Sequence, residues 1–154
     1  MEKITQRAKG LARCYGACAV GVATIETLEG GPPSTDLSYV LPGAKSAISF
    51  AVSLDQTHIE SWFNKQSHES HFKDNIQANV IASGISLELA NYLGQKGYRS
   101  IPLTANTAYR EESKNGRYDE IPPISHRYLA VRSGVGFFGL SGNVLTKTEG
   151  AAII

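Results

Sequence analysis

The sequence predicts an α/β sandwich in which a mixed sheet is covered by one long helix. Residues 71 to 96 hold a helical apolar rhythm far longer than any strand. Ala17 to Thr24 (ACAVGVAT) and Ser46 to Leu54 (SAISFAVSL) are short runs of strand character. Elements of the two kinds interleave along the chain, as layered α/β domains require.

In order, residues 2 to 15 read as an amphipathic helix with Ile4, Ala8, Leu11 and Ala12 on one face. Gly16 stops it, and the buried-type strand Ala17 to Thr24 follows. Glu26 to Ser38 has no periodicity and reads as a loop around Gly30-Gly31-Pro32-Pro33. Leu41-Pro42-Gly43-Ala44 is a turn signal that launches the central strand Ser46 to Leu54. A polar stretch holds His58, Trp62, Phe63 and His68 before the long helix, whose stripe is Phe72, Ile76, Val80 and Leu87 to Leu93. Gly84 inside it costs about 1 kcal/mol against alanine and predicts a close crossing with another helix. Gly97 caps the end. Tyr98 to Thr104 reads as a strand, with Pro102 placing it at an edge. Asn106 to Asp119 is a charged excursion with a tight Asn115-Gly116 turn. Ser125 to Ser133 is a short helix, and Asn143 to Lys147 and Gly150 to Ile154 are two strands about a turn.

A chain of 154 residues is most simply one domain. Its 42% hydrophobic and 19% charged residues fit a globular protein. A formal net charge of +1 gives no electrostatic footprint for nucleic acid or an anionic membrane. No apolar run reaches the ~20 residues that span a bilayer, and the N-terminus lacks the apolar core of a signal peptide, so a cytoplasmic protein without membrane partners is expected. Cys14 and Cys18 have neither redox nor zinc spacing and read as small buried residues. The closing run Glu149 to Ile154 rises into a buried-type strand, which predicts that the chain is part of a longer protein.

The stretch with most chemical content is Ile121 to Asn143. Four glycines fall within the nine residues Gly134 to Gly142, with Phe137 and Phe138 among them. Gly134-x-Gly136-x-x-Gly139 matches a dinucleotide fingerprint in letters, but a helix precedes it where a strand is required. His58, His68, His71 and His126 complete no metal box, so no metal ligands are assigned. His126-Arg127 opens the short helix, where free amides attract anions and a guanidinium adds a fork of donors. A salt bridge from Arg127 to Asp119 or Glu120 is the bland alternative. Asp119 and Glu120 stand just before Ile121-Pro122-Pro123, whose stiffness would hold a proton donor in place; most such acids are merely solvated.

Leu41-Pro42-Gly43-Ala44-Lys45-Ser46-Ala47-Ile48, Pro123 to Ala130 and Ser133 to Gly139 resemble stretches of the epoxyqueuosine reductases and related reductive-dehalogenase-like iron–sulfur proteins. The resemblance spans roughly Lys9 to Ile154 and is most specific in its last third. It implies a nitroreductase-like domain that binds cobalamin, truncated before a ferredoxin-like domain with two 4Fe-4S clusters. It also implies an electron-donor protein and a small-molecule or modified-nucleoside substrate. The family's proton-donating aspartate falls at Glu120, with Asp119 adjacent. Its arginine falls at Arg127 and its tryptophan at Phe137, and its closing Lys-Asn becomes Leu140-Ser141. The cofactor-binding residues implied are Arg127, Gly134, Gly136, Phe137, Gly139 and Ser141, with Phe138 beside them. Glutamate for aspartate and phenylalanine for tryptophan depart from the pattern. A flavin-using reductase of the same broad fold and a non-enzymatic corrinoid or electron-transfer protein are the competing expectations. A CxxCxxCxxxCP run after Ile154 would decide among them.

Overall fold

A computed structural model describes residues 2–104 and 124–154. The protein is a mixed α/β structure, about 49% helical and 17% strand, with small antiparallel sheets and a long helix. In chain order the elements are α1 (Glu2–Cys14), β1 (Ala17–Thr24), α2 (Ile25–Leu28), β2 (Ser46–Val52), α3 (Gln56–Phe63), α4 (His68–Gln95), α5 (His126–Arg132), β3 (Phe137–Phe138) and β4 (Val144–Leu145).

The sheet is built on β2. On one edge β2 pairs antiparallel with β1, in the register Val20 to Phe50 and Val22 to Ile48, with an irregularity between Ala17 and Ala19. On the other edge the chain's last residues return. Val52 and Ile154 exchange both backbone hydrogen bonds at 2.9 Å, and Leu54 N–H donates to Ala152 O at 2.9 Å. The expected strand Gly150 to Ile154 is thus realised only as two isolated antiparallel bridges, Ile153 to Ser53 and Gly150 to Thr146. The expected mixed sheet pairs only antiparallel among the described strands.

Side chains alternate across the pleat, so β2 meets two different layers. Ile48, Phe50 and Val52 face the layer of α1 and α4, where Ala8, Ala12, Ile85 and Leu89 are buried. Ala47 and Ala51 face the opposite layer, toward Leu129 and Ala130 of α5. Small residues on this side let α5 come close. A Cβ on Gly21 of β1 would strike the Ser133 carbonyl at the end of α5. Glycine is required there by contact.

Helix ends follow local chemistry. Asp55 caps α3, its Oδ1 accepting from Thr57 N–H at 2.8 Å, and Ser67 caps α4 by accepting from Ser70 N–H at 3.2 Å. At the far end of α4, Tyr98 N–H donates to Leu93 O at 3.0 Å and Gly97 N–H to Gly94 O at 2.9 Å. That paired pattern is a Schellman stop. Helix α4 starts earlier than its apolar rhythm suggests, because the Ser67 cap lies upstream of the first apolar residue.

Several expectations are corrected. Of the expected stripe, Phe72, Ile76, Val80 and Leu87 are exposed, whereas Leu89 is buried and forms the inner face of α4 with Ala78 and Ile85. Gly84 has nothing of its own chain within 4 Å of a Cβ placed there, so the close crossing does not occur within the described residues. Tyr98 to Thr104 is not a strand. Ser86 Oγ donates to Leu103 O and accepts from Leu103 N–H, both at 3.1 Å, and Ser100 Oγ donates to Ala90 O at 2.9 Å. The segment is thereby tied to α4 through side chains, which leaves it no need of a ladder. Cys14 and Cys18 are exposed free thiols. Among the described residues no helix is long and apolar enough to cross a membrane.

Candidate functional site

The tail pairs with β2 only from Val52 onward, so among the described residues the outer edge of Ser46 to Phe50 has no strand partner. Along that open edge lies a cavity of about 1190 Å³. The C-terminal half of α4 bounds it on one side, through Ser86, Leu89 and Leu93, and the start of α5 on the other, through Ser125, His126 and Arg127. Leu41 to Ile48 lines it from below. Its volume exceeds that of most ligand sites, which usually fall between ~300 and ~1,000 Å³. Most of the wall is aliphatic, with Lys45, Arg99 and Arg127 as cations on it.

Helix α5 positions the polar groups. Ser125 caps it, its Oγ accepting from Tyr128 N–H at 3.3 Å, and Ser125 N–H is tied to Ser34 O at 2.7 Å. The first helical residue, His126, therefore has a fixed backbone. Its Nε2 is buried without a hydrogen-bond partner among the described residues. Burial pushes the imidazole below its usual range, because the charged form loses its water. At neutral pH the ring is uncharged and offers one donor and one acceptor nitrogen. Arg127 is exposed and reaches the other way round the rim, Nη1 donating to Gly142 O at 3.4 Å.

Of the residues expected to bind a cofactor, Arg127 lines the cavity, and the glycine-rich residues serve the chain's own turns. Gly134, at φ +80°, ends α5. Its N–H donates to Val131 O at 3.1 Å and Val135 N–H to Ala130 O at 2.9 Å, a second Schellman stop. A Cβ on Gly136 would strike the Leu145 carbonyl, and one on Gly139 would lie 2.9 Å from Leu145 Cδ1. Both glycines are thus packed under the β3–β4 hairpin. Ser141 is exposed in the hairpin loop. There Gly142 N–H donates to Gly139 O at 3.0 Å and Gly139 N–H to Asn143 O at 2.8 Å. With Gly142 at φ +75°, this is a three-residue hairpin loop of bulged type.

Phe137 and Phe138 are both exposed. Phe138 lies 6.1 Å from the Tyr128 ring, whose hydroxyl accepts from Arg132 Nη2 at 2.9 Å. Asp119 and Glu120 lie outside the described residues, as does any contact they make with Arg127. Among the described residues no group of three or more His, Cys, Asp or Glu is placed to hold a metal ion. His126 is singled out in the sequence by its place at a helix start, but its stranded nitrogen carries no local signal. Burial of that atom depends on elements far away in the chain. Lys45 and Arg99 were not singled out at all, since an isolated cation in a turn or after a helix stop looks like any solvated one. Set against family models, curated proteins and solved structures, the chain matches none.

Proposed function

We propose that the chain is the cofactor-binding part of a corrinoid-dependent reductase of the iron–sulfur type, acting on a small molecule or modified nucleoside. The observation that supports this reading is convergence. Leu41–Ile48 and, from the second stretch, Ser125, His126, Arg127, Leu129 and Ala130 belong to the segments that carry the resemblance to the epoxyqueuosine reductases; they lie far apart in sequence and line one cavity. The residues present fit such a group in size and character. A large flat ring with a polar rim would meet aliphatic walls and the donors of Lys45, Arg99 and Arg127. The stranded His126 Nε2 gives the site a neutral nitrogen whose lack of a partner costs about 1–3 kcal/mol until one arrives. When bound, a corrinoid supplies electrons to the substrate. Arg127 orients an anionic or amide edge at the mouth, and the aliphatic walls exclude water. Proton delivery is assigned, through the resemblance alone, to Glu120 or Asp119.

Titrating the purified protein with cobalamin tests this. The expected outcome is a change in the cobalamin absorption spectrum and co-elution at one equivalent, weakened several-fold by His126→Ala. Absence of both in the unaltered protein overturns the proposal, and retention of a yellow flavin instead moves it to the flavin-dependent reading. Cobalamin retention with turnover indifferent to Glu120→Gln and Asp119→Asn would favour a non-enzymatic carrier.

A further inference from the structure

Helix α4 is apolar on two opposite sides, and among the described residues only one is covered. Its inner side, Ala78, Ile85 and Leu89, is buried in the main core. On its outer side Phe72 is 58% exposed, Ile76 49%, Val80 67% and Leu87 51%. Large apolar side chains offer roughly 150–250 Å² each, so the four together present roughly 400 Å². A patch of that size is comparable with the largest on a typical monomer, which is often functional.

We propose that this face is the interface of a homodimer in which α4 packs antiparallel on α4 of a second copy, crossing near Val80. The pattern along the helix is self-complementary, as a two-fold axis demands. With Val80 on the axis, residues whose numbers sum to about 160 face each other. Ile76 then sits against Gly84 of the second copy, where a Cβ would have nothing within 4 Å of its own chain. A side chain at 76 fills the groove that the missing side chain at 84 leaves. The same register brings Lys73 beside Glu88 of the second copy, twice over by symmetry. Among the described residues Lys73 has only the exposed helical neighbour Glu69, at 2.8 Å.

Polar groups on the flank tolerate burial. Asn79 Nδ2 donates to Asn75 O at 2.8 Å, and Ser83 Oγ donates to Asn79 O at 2.8 Å. Their donors are already satisfied by the helix, so a covering helix strands none of them. Two copies would bury roughly 800 Å² of these side chains, and about 1,000 Å² with the flanking stems. That is the lower end for a specific interface and implies a reversible dimer.

Sedimentation velocity of the full chain over a range of concentrations tests the inference. The expected result is a reversible monomer–dimer equilibrium. Val80→Glu should weaken it at least tenfold without changing the far-ultraviolet circular dichroism. Lys73→Glu and Glu88→Lys should each weaken it, and the double exchange should restore it. Recovery by charge exchange is an outcome that a folding defect does not produce. A chain that stays monomeric at all concentrations overturns the proposal, as does a dimer indifferent to Val80→Glu. Failure of the double exchange to recover association overturns the antiparallel register.

Discussion

His126 is held at the first turn of α5 with one nitrogen sealed from water and from every described donor or acceptor. Because burial lowers its folded-state pKa, the unfolded chain takes up a proton more readily, near its ordinary value of about 6.5. Stability from the neutral ring is therefore full above pH 6.5 and is lost as the pH falls from there toward the depressed folded value. Melting temperatures measured from pH 8 to pH 5 should fall through this window, and His126→Asn should flatten the fall; parallel curves for the two proteins would refute it. Residue-scale facts of this kind are legible only in part. Ser125 is visible as a helix start because a cap needs only its own next three residues, whereas Ser67 is passed over because the apolar rhythm begins downstream of it. The isolation of His126 is invisible, because burial of its ring depends on tertiary packing and not on the residues next to it in sequence.

At the scale of elements, local signals decide well where the chain is its own neighbour. Ala17–Thr24 forms the strand its β-rich run predicts, and Ser125 to Ser133 forms the short helix with those residues as its caps. They decide poorly where a partner chooses between alternatives. Tyr98 to Thr104 has β-forming residues, yet Ser86 supplies both partners of the Leu103 backbone before any strand can. Ser86→Ala should lower stability by about 1–2 kcal/mol in urea unfolding. It should also speed hydrogen exchange at the Leu103 amide selectively; unchanged protection there would mean the segment is held by something else. Helix α4 makes the same point about faces. Phe72, Ile76, Val80 and Leu87 outweigh Ala78 in hydrophobicity, but the sheet packs where small residues allow approach, so the bulkier stripe points outward.

Across the whole molecule, the two ends of the sequence are joined at β1 and β2. Helix α5 presses its last carbonyl onto β1 at Gly21, where no side chain fits. Gly21→Ala should cost about 1–3 kcal/mol or more, since a backbone group cannot swing aside. Guanidinium unfolding would measure it, and a variant as stable as the parent would show that the contact can relax. The α/β class was legible from the interleaving of element types, whereas the pairing of strands was not. Nothing in Glu149 to Ile154 names β2 as its partner, and the expected pairing with Asn143 to Lys147 forms only at the turn, between Thr146 and Gly150. The return of Ile153 to Ser53 also has a kinetic side. About a hundred residues separate the two, so closing that contact costs more chain entropy than any neighbouring pairing. During synthesis the outer row of the sheet must wait until Ile153, about a hundred residues further on, has emerged. Until then β2 carries a bare edge from end to end, the kind of surface on which nascent chains are caught by one another or by chaperones.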